Sequence, residues 1–174
     1  MHVRFAAPEQ KQLDKLRCEA LALPVLSDER PLRGALGLVD WRLCGFVSRL
    51  IQLGVLDAQP SQTMLVPGRP KLAVDKVFLF GAGPRAALDG ARQRELIAAM
   101  LDTVARAGVR TTALVLPGRG SASVRPEDAM ESFVSVALPR SEHDELVLLE
   151  PSDAQRAMEP VLERERRRAH ARVV

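Results

Sequence analysis

The sequence is poor in aromatic residues, and this shortage limits the partners that it favours. Its 174 residues include no tyrosine, one tryptophan and five phenylalanines. Proteins that bind single-stranded nucleic acid stack bases on aromatic side chains and gather basic residues on one face. Here the net charge is +3, but the arginines are spread along the chain among acidic residues. Nucleic-acid binding is therefore possible but not favoured.

Cysteine and histidine are also scarce. Cys18 and Cys44 are the two cysteines, which is too few for a disulfide framework or a four-cysteine zinc site. We expect both to be reduced core residues. The three histidines stand singly at positions 2, 143 and 170, without a partner at the spacing of metal ligands. The sequence therefore predicts no metal and no cofactor.

Long apolar runs are absent as well. No window of about 18 apolar residues could span a bilayer, and the N-terminus lacks the apolar core of a secretory signal. The hydrophobic fraction of 47% and the charged fraction of 27% are typical of a globular protein. We therefore expect residues 1–174 to form a single cytoplasmic domain that is not a membrane protein.

Two apolar segments dominate the pattern, and each runs into glycines. Residues 77–80 precede Gly81-Ala82-Gly83, and residues 111–116 precede Pro117-Gly118-Arg119-Gly120. Apolar runs without polar alternation are typical of strands covered on both faces. We expect the two strands to lie side by side in the middle of a sheet, each ending in a turn.

The other predicted elements alternate between strand and helix. The patterns predict strands over 3–6, 18–26, 63–66 and 146–149, and helices over 40–53, over the apolar stripe of 96–104, from Pro126 and from Ser152. Asp40 is expected to cap its helix, and Pro160 to kink or split the last one. Trp41, Phe46 and Met100 are expected in the core. This order predicts an α/β fold with three layers, α-β-α, and a mixed, mostly parallel sheet.

Three motifs occur in one order that resembles a known family. They are Asp40-x-x-x-Cys44-Gly45-x-x-x-x-Leu50-x-x-x-Gly54, Val66-Pro67-Gly68 and Phe78-Leu79-Phe80-Gly81-Ala82-Gly83. Over about residues 18–108 the chain resembles the N-terminal domain of the leucyl aminopeptidases. Residues 111–162 are similar to the second half of the macro-domain fold. The resemblance implies a macro-domain-like architecture.

The resemblance does not extend to catalysis. Leucyl aminopeptidases hold two metal ions in a separate C-terminal domain, partly within an Asn-Thr-Asp-Ala-Glu-Gly-Arg motif. This sequence contains no asparagine, and we expect it to end before such a domain could begin. Two-metal hydrolysis also needs clustered carboxylates, whereas the acidic residues here are dispersed. We therefore expect a non-catalytic domain and no aminopeptidase activity.

The family implies a role in protein association. In full-length relatives this domain helps to organise subunits. The resemblance therefore implies a homo-oligomer, or a regulatory or accessory subunit that binds another protein.

The glycine-containing loops form the alternative, a ligand site. Loops that follow parallel strands border the ligand crevice of α/β proteins, and their N–H groups can cradle a phosphate. Macro domains suggest ADP-ribose as the ligand, although many of them use asparagines that this chain lacks. Tight turns that need glycine for conformational reasons explain the same pattern. The candidate ligand-binding residues are Gly81, Gly83, Gly118, Arg119, Gly120 and Ser121.

Two further patterns favour ordinary structure. The arginine-rich run 164–172 could contact nucleic acid, but it is better explained as a solvated helix end in which Glu163 pairs with Arg167. A hydrolase triad would need a serine, a histidine and an acid in one place. No Gly-x-Ser-x-Gly elbow accompanies the available residues, which are Ser121, Ser123, His143 and Asp144.

Overall fold

A six-stranded sheet runs through the centre of the protein, and the computed structural model describes residues 1–171 around it. The strands cross the sheet in the order β1-β6-β5-β2-β4-β3. All neighbouring pairs are parallel except β3 and β4, which are antiparallel. The predicted mixed, mostly parallel sheet is therefore confirmed. The strands are β1 (His2–Ala6), β2 (Ala20–Leu26), β3 (Thr63–Pro67), β4 (Lys76–Gly83), β5 (Thr111–Leu114) and β6 (Glu145–Leu149).

Helices cover both faces of this sheet, so the predicted three layers are also confirmed. The helices are α1 (Gln10–Leu13), α2 (Gly34–Arg42), α3 (Phe46–Gln52), α4 (Gly90–Arg106), α5 (Pro126–Ala137) and α6 (Ser152–Ala171). One core lies between the sheet and α4, α5 and α6, and the other lies between the sheet and α1, α2 and α3. Across residues 1–171, every helix is too short or too polar to cross a lipid bilayer.

The strongest periodic patterns predict their elements well. The stripe of α4 is buried except for the partly buried Leu96, and the helix predicted from Pro126 is α5. Met100 is fully buried, as expected. In α6 the helix continues through Pro160 without a break. Of the two expected effects of Pro160, the split is therefore wrong, and the kink stays a prediction.

The two glycine-terminated strands are central but not adjacent. Strand β2 lies between β4 and β5, because Leu21 pairs with Val77 on one side and with Ala113 on the other. The expectation that β4 and β5 lie side by side is therefore wrong. Strand β2 is buried along nearly its whole length, as its central place requires.

The predicted turn at Gly81–Gly83 is also wrong. Strand β4 continues to Gly83, where Gly81 pairs with Val25 and Gly83 pairs with Leu26. The chain turns only after Gly83. These glycines are therefore part of the sheet.

The helix predicted over residues 40–53 is two helices. Cys44 and Gly45 both adopt positive φ values, 58° and 76°, which break the helical path between α2 and α3. Asp40 lies inside α2, near its end. Its carboxylate accepts hydrogen bonds from the N–H of Ser48 at 3.0 Å and from the Ser48 hydroxyl at 2.5 Å. Asp40 therefore holds the start of α3 rather than its own helix.

This break explains three incorrect expectations about the core. Trp41 is 63% exposed and Phe46 is 43% exposed, so neither is a core residue. Cys44 is exposed in the turn. One continuous helix would have directed these three side chains differently, because each residue advances around the helix axis by a fixed angle. Cys18 lies outside this region and is partly buried against the core.

Candidate functional site

The predicted ligand residues lie where parallel strands end. The carboxyl ends of β2, β4, β5 and β6 meet at one edge of the sheet, which is where ligand crevices form in this class of fold. The ends of β2 and β4 are joined there, because the N–H of Ser27 donates to the carbonyl of Gly83 at 2.9 Å. The loop after β5 meets the start of α2, where a Cβ atom added to Gly34 would lie 3.0 Å from the carbonyl oxygen of Gly120.

At the end of β4, the chain itself uses the glycine N–H groups. Gly81 donates to the carbonyl of Gln62 at 2.8 Å, and Gly83 donates to the carbonyl of Ala58 at 2.9 Å. A Cβ atom at Gly81 would overlap the backbone of Gln59. Glycine is therefore needed here for the close approach of residues 58–62. The two amides have no free hydrogen to offer a phosphate.

Arg119 points into the protein. Its Nε and one terminal nitrogen donate to the Glu150 carboxylate at 3.0–3.2 Å, and its other terminal nitrogen donates to the carbonyl of Val124 at 2.6 Å. The side chains of Arg119 and Glu150 are 7% and 1% exposed. Burial raises the pKa of the Glu150 carboxyl, and Arg119 opposes that rise. The guanidinium charge that could attract an anion is already balanced.

The loop after β5 is held by its own hydrogen bonds. Gly118 has a φ of 80°, and a Cβ atom there would overlap the side chain of Val124. The hydroxyl of Ser123 donates to the carbonyl of Gly118 at 3.0 Å and lies 3.2 Å from the hydroxyl of Ser121. Within residues 1–171, the N–H groups of Gly120 and Ser121 make no hydrogen bond. They are the candidate donors that the fold leaves free.

The crevice between β2 and β5 is almost closed. Its cavity measures about 20 Å³, which is close to the space needed by one water molecule. Ligand pockets for small molecules are larger by an order of magnitude. Its lining includes the backbone of the β5 loop and the side chains of Leu23, Leu36, Val115, Glu29, Arg33 and Ser121.

Sequence reasoning missed the two acidic residues at this edge. Glu29 is 6% exposed; its Oε1 makes no hydrogen bond to the described residues and lies 3.6 Å from a terminal nitrogen of Arg85. The Asp28-Glu29-Arg30-Pro31 stretch is typical of an exposed turn, so nothing in it indicates a buried carboxylate. Glu150 follows directly on the apolar residues of β6. Its position after a buried strand is the one available signal.

The remaining candidate residues do not come together. His143 and Asp144 precede β6, whereas Ser121 and Ser123 follow β5, so they lie at opposite edges of the sheet. Across the described part of the chain, no three His, Cys, Asp or Glu side chains are grouped as metal ligands. In the C-terminal run Glu163 pairs with Arg167 at 3.4 Å, as expected, and Arg172 lies outside the described residues.

Comparison with known proteins identifies the family. Residues 22–145 match the model of the N-terminal domain of the cytosol aminopeptidase family. The chain is 30% identical to a cytosol aminopeptidase of Pseudomonas aeruginosa over 116 residues, which cover 67% of this chain and 23% of the relative. The chain thus spans about a quarter of that relative's length.

Solved structures support the same fold. A leucine aminopeptidase mutant from tomato matches with a TM-score of 0.61 and 16% identity, over 91% of this chain and 35% of the other. A Trypanosoma brucei macrodomain in complex with ADP matches with a TM-score of 0.69 and 15% identity, over 92% of this chain and 69% of the other. Because these identities are low, the two likenesses concern the fold. The match over residues 22–145 leads to one conclusion: the chain belongs to the cytosol aminopeptidase family, of which it carries the N-terminal domain.

Proposed function

We propose that this domain is non-catalytic and acts in protein association, as a homo-oligomer or as a subunit that binds another protein. The observation that carries the proposal is the filled crevice. Arg119 is occupied by Glu150, and the N–H groups of Gly81 and Gly83 are used by the loop beside them. Because most of the predicted ligand-binding groups are used by the chain itself, a role for the outer surface is favoured over small-ligand binding.

Mass measurement in solution tests this proposal. Size-exclusion chromatography with light scattering, run over a range of concentrations, is expected to give a multiple of the 19.1 kDa chain mass. If the protein is instead a monomer, pull-down from its native cells should recover a partner at fixed stoichiometry. If the protein is a monomer at every concentration and the pull-down recovers no partner, the proposed function is wrong.

A second candidate function is binding of a nucleotide-like phosphate ligand such as ADP-ribose. The free N–H groups of Gly120 and Ser121 favour it, since they lie beside the N-terminus of α2, and helix N-termini attract anions. One of the matching macrodomains is in complex with ADP. A ligand of this size requires the β5 loop to move, because the cavity of about 20 Å³ holds no more than about one water.

Calorimetry separates the two functions. Titration with ADP-ribose should release heat if this second function is right, and an Arg33→Glu substitution at the mouth of the cavity should weaken binding at least tenfold. Heat that matches buffer dilution ends the ligand hypothesis and leaves the association proposal unaffected.

A further inference from the structure

Exposed apolar side chains are concentrated on one short part of the chain. Six large hydrophobic residues are exposed among those described, and four of them fall between residues 41 and 55. These four are Trp41, Phe46, Leu53 and Val55, with exposed fractions between 43% and 66%. Single exposed hydrophobic residues are ordinary, but a group of them marks an interaction site. We call this group, with Arg49 and Lys71, the α2–α3 surface.

The geometry of α3 places part of this group on one line. Phe46 and Leu53 are seven residues apart, which is two helical turns, so they lie on the same face of the helix. Arg49 lies between them on that face and is exposed. A different face of the helix packs on the core, where Val47 is fully buried. Helix α3 therefore has an inner apolar side and an outer apolar stripe.

Trp41 and Lys71 extend the stripe beyond the start of α3. Both side chains line a surface concavity that also includes Cys44 and Gly45, the turn that leads into Phe46. The turn brings the exposed end of α2 next to the start of α3, because the N–H of Gly45 donates to the carbonyl of Asp40 at 2.8 Å. The concavity and the stripe are thus continuous along the chain.

The charges of the α2–α3 surface have one sign. No acidic residue occurs between positions 41 and 56, and the Asp40 carboxylate is occupied by Ser48. Arg49 and Lys71 are exposed and form no ion pair with any described residue, whereas Arg42 is paired with Asp14. The surface therefore offers apolar area beside two unbalanced cations.

This charge pattern selects the occupant. In a two-fold contact between identical copies, the same patch faces itself. Arg49 and Lys71 would then face cations with no carboxylate between them, which is unfavourable. A partner with apolar side chains and carboxylates would complement both the apolar area and the two cations of the surface. Resting on the proposed association function, we infer that the α2–α3 surface binds an acidic amphipathic segment of a partner protein.

The single tryptophan of the chain gives a direct measurement. Trp41 emission should shift to shorter wavelength, and the shift should saturate, when the protein is titrated with a helical peptide that carries leucines on one face and glutamates on the other. A matched peptide with lysines in place of the glutamates should bind at least tenfold more weakly. An Arg49→Glu and Lys71→Glu double variant should reverse this preference.

Variants locate the binding surface. Phe46→Ser and Leu53→Ser should each lower the affinity for the glutamate peptide at least fivefold. Trp41 is unchanged in both variants and still reports binding. Leu65→Ser is the control, because Leu65 is 56% exposed on β3, beside Phe78 on the α4–α6 side of the sheet. The inference is wrong if the Trp41 emission does not shift, or if both peptides bind equally well. It is also wrong if the Phe46 and Leu53 variants bind the glutamate peptide with unchanged affinity.

The outcome is separate from that of the proposed function. If light scattering or pull-down detects association that persists in the Phe46→Ser and Leu53→Ser variants, the surface assignment is wrong and the association function stands. If the same variants turn an oligomer into a monomer, the occupant is a second copy, and the acidic-partner inference is wrong.

Discussion

The hydroxyl of Thr112 is buried in β5, and its Oγ1 has no hydrogen-bond partner within residues 1–171. The residue pairs with Ala20 on one side and with Leu146 on the other, in an apolar core. An unsatisfied buried hydroxyl costs about 1–3 kcal/mol. We therefore expect Thr112→Val, which keeps the shape and removes the hydroxyl, to raise the free energy of unfolding by about 1 kcal/mol in urea denaturation. Thr112→Ser keeps the hydroxyl and should not stabilise the protein; a Val variant less stable than wild type would show that Oγ1 has a partner.

His143 carries the second prediction at the residue scale. It is 1% exposed, neither ring nitrogen is hydrogen-bonded to the described residues, and burial lowers the pKa of its imidazole below the ordinary 6.5. The unfolded chain then binds the proton more readily than the folded one, so stability is full above about pH 6.5 and falls as the pH drops below it, by at most about 1.4 kcal/mol per pH unit. The nearby charges are Glu142, Asp102, Arg140 and Arg110.

A substitution isolates this effect. His143→Phe should flatten the loss of stability between about pH 6.5 and pH 5, as measured by urea midpoints at each pH. The comparison between variant and wild type cancels the contribution of Glu150, whose raised pKa acts in the opposite direction. If the two proteins lose stability in parallel over this range, His143 is not the titrating group.

At the scale of elements, β5, α4 and α5 could be predicted because apolar residues alone decide them. Helix α2 could not, because it begins with Gly34 and contains Gly37, and glycine weakens the helical signal. The break after α2 was hidden as well, since Asp40 has the sequence signature of a cap for its own helix. A strong apolar period can be recognised from the sequence alone. A side chain that caps a helix eight residues further along the chain cannot.

The candidate site shows the same limit. The sequence predicts a loop at Gly118–Ser121 after a buried strand, and the structure places it at the carboxyl edge of the sheet. What the sequence does not reveal is that Arg119 is paired with Glu150, because the two are separated by 31 positions. Whether a charged side chain is free to bind a ligand depends on such distant partners. The position of the loop is therefore easier to predict from the sequence than its chemistry.

The ion pair of Arg119 and Glu150 joins the loop after β5 to the end of β6. Removing one of its partners should lower the free energy of unfolding. Breaking one side of a buried ion pair costs about 3–5 kcal/mol, because the other charge remains buried alone. We expect Glu150→Leu and Arg119→Met each to lower the free energy of unfolding by about that amount. The double variant Arg119→Met, Glu150→Leu should lose much less than the sum, since no charge is left unpaired.

Urea denaturation of the four proteins measures this coupling. Hydrogen exchange adds a local readout, because both single variants should exchange faster at residues 117–125 than in β1. Strictly additive losses would mean that the two side chains act independently, contrary to their hydrogen bonds.

At the scale of the whole molecule, the region that matches the family model lacks parts of the sheet and of the core. Residues 22–145 omit β1 and α6 and nearly all of β6. Strand β1 pairs with β6 along its full length, so the first and last strands of the chain are neighbours at one side of the sheet. Helix α6 buries Met158, Val161 and Leu162 in the core beside α4 and α5.

Fragments test this dependence on the chain ends. Without α6 and β6, the helix α5 and the strand β5 would expose apolar area to water, which costs about 25 cal/mol per Å². The net stability of a domain is only about 5–15 kcal/mol, so this loss is large in comparison. We therefore expect a fragment of residues 22–145 to lack a cooperative urea transition, whereas residues 1–171 should unfold in one step. A fragment of residues 1–162, which keeps β1, β6 and the buried part of α6, should retain that transition. Cooperative unfolding of the shorter fragment would show that the family-matched region folds without the outer strands and α6.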